Sequence, residues 1–119
     1  MIDLRKQNVL LFTRTMQLGG TENVILQLCE ILQPKVNKII VCSCGGVNIK
    51  KLNEMRIKHI LIDDIENKSI LTILNTSKTL KRTVKEEQIT IIHTHHRMAA
   101  FYVAILRLYS KCIFINTNH

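Results

Sequence analysis

Continuous apolar runs alternate along this chain with stretches whose apolar positions recur every three or four residues. Val9-Leu10-Leu11-Phe12-Thr13 is such a run and predicts a strand over 8–13, buried on both faces. Val24, Ile25, Leu28, Ile31 and Leu32 follow at helical spacing and predict an amphipathic helix over 21–33. The alternation then repeats. Strands are expected over 38–43, 57–62, 89–94 and 112–117, and helices over 48–56, 69–87 and 97–110. This order predicts the α/β class: a Rossmann-like, doubly wound parallel sheet of about five strands in three α/β/α layers.

Two helices stand out. In 69–87, Ile70, Ile73, Ser77, Leu80 and Val84 are the expected core-facing set. Lys78, Lys81, Arg82 and Lys85 recur at i, i+3, i+4 and i+7 as one basic stripe, which Leu71 and Leu74 extend toward the helix start. Such a stripe is either a solvated face or a docking face for anionic lipid headgroups. The 97–110 segment has almost no polar face. It is expected either as a buried crossover helix or as a helix packed on something beyond this chain.

Composition narrows the class. The 119 residues, 46% of them hydrophobic, suffice for one domain (1–119) with a real core, and no linker, repeat or low-complexity tract divides it. The first apolar run is too short for a secretion signal or a membrane span. Cys29, Cys42, Cys44 and Cys112 fall in predicted helix and strands, which favours reduced thiols in a cytosolic protein over a disulfide scaffold. Net charge is +8, from 17 Lys+Arg against 9 Asp+Glu. Nucleic acid, an anionic membrane or an anionic small substrate would each suit that charge. Aromatic residues make up only 4%, so platforms for base stacking are scarce and no nucleic-acid partner is expected.

In open α/β sheets ligands bind outside the carboxyl ends of the strands. That singles out Gly19-Gly20, Cys44-Gly45-Gly46, Asp63-Asp64, His95-His96 and His119. Gly19-Gly20 sits where the first strand hands over to a helix. Glycine there permits φ > 0 and close approach to the backbone, and the new helix start offers free N–H groups to an anion. Thr21 is the expected N-cap, with Glu22 in the first turn. No third glycine follows for a dinucleotide fingerprint, and no Gly-Lys-Ser/Thr for a Walker A loop. An ordinary tight turn is the plain alternative.

His93 and His95 share one face of the fourth strand. A zinc hydrolase would use such a pair, with a third ligand from His119, Asp63 or Cys44, although Arg97 follows where a carboxylate would suit a metal better. The alternative is a strand histidine beside solvated loop residues. His119, at the tip of the last strand, is a candidate general acid or base. Asp63-Asp64 lacks the acids after strand one that a phosphorylation receiver requires, because Arg14-Thr15-Met16-Gln17 stand there.

Three segments in this order resemble the amino-terminal domain of glycosyltransferase family 4, a GT-B fold family. They are Gln17-Leu18-Gly19-Gly20-Thr21-Glu22, Ile91-Ile92-His93-Thr94-His95-His96 and Phe114-Ile115-Asn116-Thr117-Asn118-His119. The resemblance covers nearly the whole chain. It implies a retaining sugar transfer from a nucleotide-sugar co-substrate to a surface-glycan or lipid-linked acceptor, with no metal or other cofactor. Gly19, Gly20 and Thr21 would meet the donor diphosphate, His119 would act at the reaction centre, and His95, His96 and Arg97 would border the acceptor. Lys78, Lys81, Arg82 and Lys85 would face an anionic membrane, placing the protein in the cytoplasm at the inner membrane face. The family also uses a second, carboxy-terminal domain for most of the nucleotide, and this chain lacks it, so the chain alone is expected to be inactive. The rival readings are a stand-alone module that binds a phosphorylated ligand at Gly19-Gly20 and the zinc hydrolase.

Overall fold

The computed structural model describes residues 3–117. Its strands are β1 (Asn8–Phe12), β2 (Lys38–Ser43), β3 (Lys58–Leu61), β4 (Ile91–Thr94) and β5 (Ile113–Asn116). Its helices are α1 (Gly20–Leu32), α2 (Ile49–Glu54), α3 (Ile70–Glu86) and α4 (Arg97–Ile105), with short 3-10 turns at Leu4–Lys6 and Leu108–Ser110. One helix joins each strand to the next. All strands are parallel, in the order β3-β2-β1-β4-β5. The sheet is therefore the doubly wound α/β arrangement that the sequence predicts.

β1 lies at the centre, and all five of its residues are buried. The pleat sends successive side chains to opposite faces. Leu10 and Phe12 join Ile40, Cys42, Ile92, Leu80 and Tyr102 on one side. Val9 and Leu11 join Ile25, Cys29, Val41 and Leu52 on the other. Thus α3 and α4 cover one face and α1 and α2 the other, which gives the three layers.

Two expectations about helices need correction. On α3 the buried residues are Thr72, Thr76, Leu80, Thr83 and Val84. Ile70 is 78% exposed and Ser77 only half-buried, so neither anchors the core. The core face is rotated toward the threonines, two of whose hydroxyls find local partners: Ser69 Oγ donates to Thr72 Oγ1, and Thr83 Oγ1 donates back to the Thr79 carbonyl, while the Thr76 hydroxyl has none among the described residues. The segment expected as one helix over 97–110 ends at Ile105, because Arg107 takes a left-handed φ of 55° and a 3-10 turn follows. α4 buries Ala99, Tyr102 and Val103 but leaves Phe101 and Ile105 exposed, so it is not enclosed on all sides as a central crossover helix would be.

Candidate functional site

β1 and β4 are neighbours, yet α1 leaves toward one face of the sheet and α4 toward the other. Their carboxyl ends mark the topological switch point, where an open α/β sheet forms its ligand crevice. One wall is the segment from Thr13 to the start of α1. The other is His95-His96-Arg97 at the start of α4.

The first wall is fixed by main chain. Thr13 N donates to Cys42 O (3.1 Å), Cys44 N to Arg14 O (2.8 Å), Met16 N to Gly45 O (2.9 Å) and Asn48 N to Met16 O (2.7 Å). Asn48 Nδ2 adds a bond to Gln17 O at 2.8 Å. Glycine is obligatory in this strapping, but at Gly46. It has φ +146°, and a Cβ there would lie 2.4 Å from the Met16 carbonyl carbon. Gly19, by contrast, is extended at φ 172°. The conformational freedom expected of Gly19-Gly20 is needed at Gly45-Gly46 instead.

What Gly20 supplies is space, since a Cβ there would meet nothing within 4 Å. Gly19, not Thr21, is the N-cap of α1, because the chain turns helical before Thr21 is reached, and no side chain closes the cap. The first N–H groups of α1 are thus open at the crevice. Glu22 leans across this opening. Its Oε2 accepts from Thr15 Oγ1 at 2.8 Å, and its Oε1 lies 2.8 Å from where a Gly19 Cβ would be. That carboxylate partly satisfies the helix dipole and weakens the pull on an incoming anion.

On the second wall His96 is the N-cap of α4, its Nδ1 accepting from Met98 N at 3.1 Å. Its Nε2 lies 3.2 Å from Glu66 Oε1, and Arg97 Nε lies 4.0 Å from the same oxygen. His96 and exposed Arg97 therefore share the rim. His95 is set apart from them: it is buried, with its ring centroid 4.0 Å from that of His93, whose Nε2 is 2.7 Å from Thr117 Oγ1. His93 and His95 do share a face, as alternation predicts. Among the described residues no group of three His, Cys, Asp or Glu side chains is placed to hold a metal. His119 lies outside the described residues.

Asp63-Asp64 has an electrostatic role that the sequence did not reveal. Arg14 grips Asp64 through both oxygens, at 2.8 and 2.9 Å, and the guanidinium holds that carboxyl down to about 2. Asp64 Oδ1 also accepts from Glu66 N at 3.0 Å. Arg14, Asp64, Glu66 and His96 form a polar chain linking the carboxyl ends of β1, β3 and β4. Arg14 and Glu66 are additions to the predicted site. Arg14 was findable by position, since it closely follows β1 at the carboxyl edge.

Lys78, Lys81, Arg82 and Lys85 are all exposed on α3. No helix among the described residues is long and apolar enough to cross a membrane. The four cysteines are free, and burial pushes the Cys29 and Cys42 thiols up to about 12, so neither is a ready nucleophile.

A 3-2-1-4-5 parallel sheet with an open helix start at its switch point defines a Rossmann-like α/β domain. The Glycosyltransferase Family 4 profile matches residues 18–119, and the chain belongs to that family. Among solved structures it is similar to a glycosyltransferase from Rickettsia africae ESF-5, with TM-score 0.75 and 22% identity over 92% of this chain and 29% of that one. It is also similar to MurG from Acinetobacter baumannii, with TM-score 0.68 and 11% identity over 94% of this chain and 35% of that one. A third likeness is to glycinamide ribonucleotide transformylase 1 from Geobacillus kaustophilus, with TM-score 0.61 and 13% identity over 92% and 57%. At these identities the likeness concerns the fold, which transferases of different chemistry share. The chain spans about a third of the length of the two glycosyltransferase structures. No curated protein sequence matches it.

Proposed function

We propose that this chain is the amino-terminal, acceptor-side part of a retaining glycosyltransferase. The complete enzyme moves a sugar from a nucleotide-sugar donor to a surface-glycan or lipid-linked acceptor, needs no metal or other cofactor, and takes most of its nucleotide contacts from a carboxy-terminal domain. Family membership supports sugar transfer. The observation that carries the site is the open start of α1 at the switch point, with free space over Gly20 and His96 and Arg97 on the facing rim. In this reading Gly19, Gly20 and Thr21 receive the donor diphosphate by main chain, and His95, His96 and Arg97 border the acceptor. His119 acts at the reaction centre. The exposed stripe Lys78, Lys81, Arg82 and Lys85 rests on the anionic inner face of the cytoplasmic membrane.

The test is a titration of the 119-residue chain with uridine diphosphate, followed by NMR of backbone amides. Glu22 crowds the helix start, and in this reading most of the nucleotide contacts come from the carboxy-terminal domain. Binding is therefore expected only in the millimolar range, with the largest shifts at Gly20 and Thr21. Gly20→Ala should leave the melting temperature unchanged or raised, since a Cβ there meets no atom and alanine suits a helix better, while weakening binding further. Micromolar binding would mean that the site is complete in this chain and would overturn the half-enzyme reading. Shifts confined to another face would remove the role of α1.

A further inference from the structure

A second concavity lies beside the crevice and involves almost none of the residues assigned to it. It measures about 530 Å³ and opens between the carboxyl ends of β2 and β3 and one flank of α3. Leu61 and Ile62 give it an apolar side, and Asp63, Asn75 and Thr79 give it hydrogen-bonding groups. Asp64 is the wall it shares with the crevice. Cys44 and Thr76 complete the lining; Thr76 is 2% exposed, and its hydroxyl makes no hydrogen bond to any described residue. The Thr76 hydroxyl offsets part of the upward push that burial gives the Tyr102 phenol, but the two do not meet in hydrogen-bond geometry.

We propose that this cleft seats an uncharged sugar ring of the acceptor, a reading that rests on the sugar-transfer function proposed above. The volume falls within the range of small-ligand sites. A sugar ring offers hydroxyls around its rim and C–H bonds on its faces. Asp63 accepts from hydroxyls, Asn75 and Thr79 both donate and accept, and Leu61 and Ile62 take the C–H face. The lining discriminates against charge. Among the described residues no lysine or arginine lines it, so the carboxylate of Asp63 faces a phosphorylated ligand with no cation in the lining, and the charge of Asp64 is already neutralised by Arg14. A cation gains little, because Asp64 is already committed to Arg14 in a two-pronged ion pair. The two concavities thus divide the labour: anionic groups go to the start of α1, and the neutral sugar goes to the acid-lined cleft on the other side of Arg14–Asp64.

Saturation-transfer NMR on the 119-residue chain tests this, with methyl β-D-glucopyranoside and N-acetylglucosamine as probes. At least one is expected to give signal, and Asn75→Leu and Thr79→Val should each weaken its binding about tenfold, the effect of one or two lost hydrogen bonds. Asn75 is exposed, and the Thr79 contact to Thr83 uses a carbonyl that valine keeps, so both variants should melt as the parent does. Glucose 1-phosphate should bind this cleft more weakly than the neutral glucoside. Absent signal from both probes, signal unchanged in both variants, or tighter binding of the phosphorylated sugar overturns the proposal. The uridine diphosphate titration separates the two readings. Amide shifts at Gly20 without sugar signal would sink the cleft and spare the transferase. Sugar signal lost in the Asn75 and Thr79 variants, without shifts at Gly20, would spare the cleft and sink the donor site.

Discussion

His96 uses its two ring nitrogens for different tasks. Nδ1 accepts the Met98 N–H that caps α4, and Nε2 faces Glu66 at 3.2 Å. Only the neutral ring with its proton on Nε2 serves both. Burial lowers the pKa of His96 below its ordinary 6.5, outweighing the upward pull of Glu66. His59, half-buried with its Nε2 2.6 Å from Ser43 Oγ, is lowered for the same reason. A histidine with a depressed folded pKa is protonated more readily in the unfolded chain. Its contribution is therefore complete above about pH 6.5 and is lost as pH falls toward the folded value. The Arg14–Asp64 pair does not titrate in that window, since Asp64 ionises at about 2. The melting temperature should thus fall between about pH 7 and pH 5, and His96→Asn, which can still cap α4, should flatten part of that slope. A slope unchanged in His96→Asn, measured by thermal melts across this range, would remove the role given to its protonation. That His96 borders the site was legible from its place just past the strand Ile91-Ile92-His93-Thr94. Its acid was not, because Glu66 reaches it from the β3–α3 loop and local sequence carries no record of that approach.

At the scale of elements, α3 shows where hydrophobic pattern and packing part company. Helical spacing puts Ile70, Ile73, Ser77, Leu80 and Val84 inward. Ile73 does pack against the core, but Ile70 is exposed, and the helix buries Thr72, Thr76 and Thr83 with Leu80 and Val84. Threonines whose hydroxyls bond locally can be buried at small cost, and a pattern that counts them as polar misses the face. Leu80 and Val84 were legible because their apolar character and their burial agree. Leu71, 69% exposed, and Leu74 lie on the same outward face as Lys78, Lys81, Arg82 and Lys85, as their spacing predicts. Apolar residues followed by a row of cations are suited to a surface of anionic lipid, each cation contributing about 1 kcal/mol near such a surface. The chain should co-sediment with phosphatidylglycerol vesicles. Changing the four basic residues to glutamate should reduce that binding at least about tenfold while leaving the melt nearly unaltered, since none of them is buried. Leu80→Ala is the contrasting variant: it empties a fully buried site and should cost about 2–5 kcal/mol of stability without removing the vesicle-binding face. Vesicle binding that survives the charge reversal would return the stripe to the status of a solvated face.

For the whole molecule, the two edges of the sheet are unequal. The β3 edge carries Lys58, tied to Glu87 at 2.6 Å, and His59. Charge of this kind discourages pairing with another strand. β5, at the other edge, reads Ile113-Phe114-Ile115-Asn116, with Ile113 and Ile115 42% and 44% exposed and Phe114 packed on the core. No charged residue lies within the strand. Phe101 and Ile105 of α4 and Tyr109 of the turn that follows are exposed as well. An apolar edge with unpaired main-chain groups is a template for a further strand, and the chain supplies such a strand in every other copy of itself. Opposing this is the net charge of +8, which repels copies over roughly 10 Å at 0.1 M salt and less as salt rises. Self-association should therefore strengthen with ionic strength, the reverse of vesicle binding. Ile113→Lys with Ile115→Lys should abolish it without a loss in melting temperature, because both side chains are outside the core. Leu61→Lys on the β3 edge should change nothing. Sedimentation velocity at two salt concentrations decides the matter: association that weakens with salt, or that persists in the double lysine variant, would show that the copies meet through another face.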